Sequence, residues 1–123
     1  MPLKWKIDNE PDYLVVVAEG EWHIPSVLKM IDAIGGECRA LGHDRILCDL
    51  RGVHGHWSQV DRYLAGSRVG DRLTGMRIAV LMNEKAVVTG SGINVAARRG
   101  AMMMGTVDID EARRWLFALP VRP

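Results

Sequence analysis

The chain has 123 residues, 48% of them apolar, which is enough for one domain with a core of its own and too little for two. Its 16 basic and 15 acidic side chains leave a formal charge of +1, which excludes the broad basic footprint by which nucleic-acid binders hold phosphate. The 2 cysteines, Cys38 and Cys48, stand at apolar positions and read as buried free thiols of a reducing compartment. No stretch resembles a signal peptide or reaches the ~18 apolar residues of a spanning helix, so a cytoplasmic location is expected.

Trp5 and Ile7 open a short strand, Asp8 to Asp12 supply turn formers, and Tyr13 to Glu19 carries a β-branched run. Together they predict an antiparallel hairpin that ends at Gly20. Pro25 fits the first turn of a helix in which Ile24, Leu28, Ile31, Ile34, Cys38 and Leu41 recur at three- and four-residue spacing, and Gly42 stops it. Ile46, Leu47, Cys48 and Leu50 then read as a central strand covered on both faces. After it, Arg51 to Ser58 reads as a loop.

A second helix spans Gln59 to Leu73, where Val60, Tyr63, Leu64 and Leu73 keep the helical period. Gly66 and Gly70 share one face of it and leave two readings open: a close approach to a neighbour, or a broken helix, since each glycine costs roughly 1 kcal/mol relative to alanine. Met76 to Met82 is a second buried strand, and Glu84 to Arg99 reads as a helix interrupted at Gly90-Ser91-Gly92. Met102 to Val107 is the last strand. Asp108 and Glu111 form a capping box for a helix carrying Ala112, Trp115, Leu116 and Leu119, closed by Pro120. The order predicts an α/β fold: a mixed sheet with an N-terminal antiparallel hairpin and later parallel strands, flanked by about four helices.

In open α/β sheets, ligands and partners gather at the carboxyl ends of the strands, so the loop after the central strand is the expected working surface. Arg51, His54, His56, Trp57, Ser58 and Tyr63 are its expected contact residues, with Asp49 accepting N–H groups to hold the turn. His54 and His56 offer two imidazoles and no third or fourth ligand at fixed spacing, so no metal is expected. Gly90 and Gly92 lack the third glycine and later acid of a dinucleotide loop, and no other cofactor is indicated. With no nucleophile elbow, catalytic cysteine context or paired carboxylates, no enzyme activity is expected.

Four segments in their order and spacing, EGEW at Glu19 to Trp22, RILCDLRGV at Arg45 to Val53, RIAVL at Arg77 to Leu81 and DEARRWL at Asp110 to Leu116, resemble the STAS/SEC14 group, also called SpoIIAA-like proteins. The resemblance covers nearly the whole chain and implies a non-catalytic binding or regulatory domain that makes protein-protein contacts at the loop after the central strand. In STAS anti-sigma-factor antagonists that loop carries an Asp-Ser-Ser-Gly-like segment whose serine is phosphorylated by a partner kinase, and by position Ser58 is the matching hydroxyl. Trp57, Gln59 and Val60 depart from that pattern, which leaves a plain helix N-cap as the competing role.

SEC14 or CRAL-TRIO carriers imply an alternative, a small apolar, lipid-like ligand held between the sheet and the helices 59–73 and 84–99. Tyr63, Val88, Gly92, Met102 and Met104 would line that pocket, methionine being adaptable, although a chain this short needs much of its apolar content for the core. The expected partner is therefore a protein or a small apolar ligand, and no nucleic acid. Sheet edges and an apolar helix face also leave room for a homodimer, while nothing in the sequence supports peripheral membrane contact.

Overall fold

A computed structural model describes residues 3–83 and 97–118. Its elements are β1 (Lys4–Asn9), β2 (Leu14–Glu21), α1 (Ile24–Leu41), β3 (Arg45–His54), α2 (Gln59–Arg72), β4 (Arg77–Leu81), β5 (Met102–Thr106) and α3 (Ile109–Phe117). The strands form one 5-stranded sheet in sequence order, with β1 antiparallel to β2 and every later pair parallel. The expected hairpin and parallel crossovers are therefore present. Three helices stand among the described residues instead of about four, and most of the expected helix at 84–99 lies outside them.

Alternation along the strands divides the core between two faces. Leu14, Val16, Ile46, Cys48, Ile78 and Val80 pack with Val27, Ile31, Ile34 and Cys38 of α1 and Val69 of α2. On the opposite face, Leu47 and Ala79 meet Ala112 and Leu116 of α3. Full burial of side chains such as Leu14, Ile46 and Leu116 stabilises by roughly 1.5–3 kcal/mol each. The buried stripe of α1 includes Val27 and Met30, whereas the expected Leu41 is exposed. The helix stops at Gly42 as expected, and the Gly42 N–H donates to the Cys38 carbonyl at 2.8 Å.

Two further expectations meet the structure differently. Helix α2 runs unbroken through Gly66 and Gly70, both buried, so the broken-helix reading falls. At Gly70 the reason is a close approach: a Cβ there would collide with the side chain of Arg99, whose guanidinium pairs with Asp71 at 2.8 Å. The central strand also continues past Leu50 as far as His54, where the sequence suggested a loop.

That extension contains a β-bulge. Val17 pairs with Asp49 and Glu19 pairs with Gly52, so Ala18 of β2 opposes both Leu50 and Arg51 of β3. The extra residue shifts the side-chain alternation by one place, and bulges commonly re-aim side chains next to functional sites. Leu50 and Val53 consequently both enter the core, while Arg51 and His54 are exposed.

Candidate functional site

Beyond the bulge, the chain turns at Gly55, whose φ of 111° lies in a region that favours glycine. Residues 55–58 then lead into α2. Ser58 caps that helix: its Oγ accepts the Asp61 N–H at 3.0 Å, a bond whose loss typically costs about 1 kcal/mol. The Asp61 carboxylate in turn accepts the indole N–H of Trp22 at 2.8 Å. Trp22 stacks on Trp57 with ring centroids 3.8 Å apart and planes 23° from parallel, and its backbone N–H donates to the His54 carbonyl at 2.6 Å. The β3–α2 connection is thus fastened to the β2–α1 connection by a ring stack and two hydrogen bonds.

Asp49 secures the bulge. Its Oδ1 accepts both the backbone N–H and the Nε–H of Arg51 at 3.0 Å, while its Oδ2 accepts from Arg51 Nη2 at 2.9 Å. Burial pushes the Asp49 carboxyl upward, but the Arg51 hydrogen bonds and charge outweigh it and hold the group below its ordinary value.

Two hollow spaces adjoin this connection. The outer one, about 310 Å³, is a cleft at the ends of β3 and β4 lined by residues including His54, His56, Trp57, Arg62 and Asn83. The inner one, about 100 Å³, is an apolar cavity between the sheet and helices α1 and α2. Leu50, Trp57, Arg62 and Met82 border both. At this boundary the Nε of Arg62 is buried without a hydrogen-bond partner among the described residues, a situation that typically costs about 1–3 kcal/mol.

Two solved structures are similar to the chain over almost its full length. An uncharacterized protein of the DUF3478 family with a SpoIIAA-like fold, from Shewanella loihica PV-4, matches with a TM-score of 0.55 at 16% identity, covering 94% of each chain. The fold is SpoIIAA-like. An anti-sigma factor antagonist from Mycobacterium paratuberculosis matches this SpoIIAA-like fold with a TM-score of 0.52 at 13% identity, covering 93% of each chain. No family model and no curated protein matches the sequence.

Within the SpoIIAA-like frame the expected contact residues separate. His54, His56 and Trp57 come together around the cleft, but Trp57 is half-buried under its stacking partner. Arg51 is tied to Asp49, and Ser58 is half-buried in its cap. Tyr63 lies on the outer flank of α2, 50% exposed, and lines neither space. The methionine prediction misses by one position, because side chains alternate along β5. Met103 lines the inner cavity, Met102 is exposed, and Met104 packs on the α3 face. Val88 and Gly92 lie outside the described residues.

Trp22 and Arg62 were not singled out by the sequence. Trp22 closes the EGEW segment and offered an aromatic signal; Arg62, one basic residue among 16 Lys and Arg, offered none. Cys48 borders the inner cavity as a free thiol, and burial, with Asp49 adding to it, pushes its pKa up to about 12. Among the described residues, no group of three or more His, Cys, Asp or Glu is arranged to hold a metal ion, and no helix is long and apolar enough to cross a membrane.

Proposed function

We propose that this SpoIIAA-like domain acts by binding, without catalysis of its own, and that a protein partner docks on the start of α2 and the loop before it. The observation that carries the reading is the outward row Val60, Tyr63 and Leu64, which are 67%, 50% and 41% exposed. Their spacing places them on one flank of α2, while the buried face of that helix is supplied by Gly66, Val69 and Gly70. Large apolar side chains grouped on a surface mark interaction sites, and a tyrosine among them is a common anchor. The exposed His54 and His56 extend the surface with polar groups. The anti-sigma factor antagonist that shares the fold is, by its name, a protein that acts on another protein's regulator, in keeping with this reading.

Ser58 serves here as the helix cap. A phosphate on its Oγ would add up to about two negative charges at the start of α2, where the free N–H groups and the helix dipole favour them and the nearby Asp61 carboxylate opposes them. A photo-crosslinking residue placed at Val60 tests the docking surface, with exposed Asp12 as the control position. A protein adduct formed at Val60 and absent at Asp12 is expected, and Tyr63→Ala should weaken that partner's affinity about tenfold. Adducts at neither position, or equally at both, would remove this face from consideration. An adduct with a second copy, accompanied by a dimer mass in light scattering, would assign the face to self-association.

A further inference from the structure

We propose that the inner cavity and the outer cleft together form one binding site for a small amphiphile, a carboxylate on a short hydrocarbon tail. The site lies inside the domain, independent of the docking surface on the outer flank of α2.

The two spaces differ in chemistry and share a wall. Among the described residues that line the inner cavity, Arg62 is the only charged side chain, and the remainder are apolar apart from the small Gly66 and the thiol of Cys48. The outer cleft is lined by the imidazoles of His54 and His56, the amide of Asn83 and the same Arg62, with no carboxylate among its described lining residues. An apolar chamber opening on a polar vestibule whose described lining offers a guanidinium, two imidazoles and an amide suits a molecule with a hydrocarbon end and an anionic end, although Glu21 Oε2 stands close to Gly55 at its rim.

Arg62 stands where the two ends would meet. Its Nε is buried and has no hydrogen-bond partner among the described residues, although buried donors are nearly always paired. Among the described residues, Arg77 Nε and Asp32 Oδ1 are the other buried side-chain atoms without a hydrogen-bond partner, but each belongs to a group that is otherwise engaged. Arg77 lies 4.2 Å over the Trp115 ring and donates to the Trp115 carbonyl; Asp32 accepts from Arg68 at 2.7 Å and approaches Arg72 at 3.3 Å. Neither borders a hollow space described above, whereas Arg62 borders both. A guanidinium is a permanently charged planar fork whose geometry matches a carboxylate, so an anionic head would complete it.

Size sets the tail. A dry apolar cavity of about 150 Å³ accommodates benzene. The inner space here, about 100 Å³, therefore suits a chain of roughly four to six carbons whose first atoms remain in the passage beside Trp57.

Isothermal titration of the purified chain with hexanoate, hexan-1-ol, hexylamine and acetate tests the proposal, with indole N–H NMR signals of Trp22 and Trp57 reporting the location. Hexanoate should bind about tenfold more tightly than hexanol, with acetate and hexylamine weaker still, and the two indole signals should shift. Arg62→Gln should reduce hexanoate to the affinity of hexanol, while Arg62→Lys, which keeps the charge and loses the fork, should fall between. Ala65→Leu, which narrows the inner chamber, should abolish binding of hexanoate and hexanol in a chain that still melts cooperatively. Equal affinity for hexanoate and hexanol in the wild type, equal affinity for acetate and hexanoate, or unchanged hexanoate binding in folded Arg62→Gln or folded Ala65→Leu would each overturn the proposal.

Discussion

The two ends of the parallel strands both bring aromatic rings and guanidinium groups together, yet they differ in how completely those groups are used. At the amino end, Tyr13 stands edge-on to Phe117 at 5.4 Å, and Arg45 lies 5.4 Å from the same ring while donating through Nε to the Leu116 carbonyl at 2.9 Å. Arg77 covers Trp115 and donates to its carbonyl, so two arginines occupy carbonyls in the last turn of α3, which a helix leaves open. At the carboxyl end, Trp22 and Trp57 stack beside two hollow spaces and Arg62 keeps an unpartnered nitrogen. One end spends its aromatics and cations on closing the helix; the other spends its rings on joining two connections and leaves one guanidinium nitrogen open among the described residues.

If the amino end is a fastening, removing its packing should produce the largest loss of stability. Leu116, fully buried against the sheet, is the place to test it, and Leu116→Ala should cost about 3 kcal/mol in urea unfolding. A loss under about 1 kcal/mol would contradict the tight packing on that face. At the carboxyl end, Trp57→Ala removes the ring stack but only a half-buried side chain, so about 1–2 kcal/mol is expected in the same measurement. Ser58→Ala takes away the cap alone and should cost about 1 kcal/mol.

The smallest effects are expected from titration. Burial raises the pKa of Cys38 to about 11 and that of Cys48 to about 12. A thiol raised on folding contributes stability below its unfolded value that declines as the pH rises toward the folded value. Both thiols should therefore react slowly with a disulfide reagent at pH 8 and rapidly once the chain is unfolded in urea. Asp49 has the opposite sign: its folded value is depressed, so its contribution is present above the ordinary carboxylate range and is lost as the pH falls through the folded value. Because Arg51 is solvent-exposed, Arg51→Ala should reduce stability at pH 7 by less than about 1 kcal/mol, and acid unfolding curves of variant and wild type should converge at low pH.

The amino end was easier to read from sequence because local patterns determine it. The cap at Asp108 was expected from its spacing to Glu111, and Asp108 accepts the backbone N–H groups of Asp110 and Glu111, but its own N–H donates to Thr106 Oγ1 instead of to the Glu111 side chain, so only half of the expected capping box forms. Apolar runs likewise identified β3 and β4, and helical spacing identified α1. The bulge escaped notice because it is defined by pairing with β2, through Ala18, and an extra residue on one strand has no signature in that strand's composition. Arg62 escaped for a similar reason, since its significance comes from the missing partner beside it. The methionine error was one of phase: the cluster was recognised, but only Met103 points to the cavity.

The inserted place at Leu50-Arg51 works like a half-step in a stair, reversing which foot lands on which side thereafter. If the strand kept that extra residue but ran without the bulge, strict alternation from Leu50 would send Val53 toward water and His54 toward the interior, whereas deleting the residue together with the bulge would leave both where they are. The polarity of the vestibule is therefore encoded jointly by its own side chains and by the bulge that absorbs an extra place before them, so the histidine loop carried with Leu50-Arg51 onto a strand held flat would be delivered inside out.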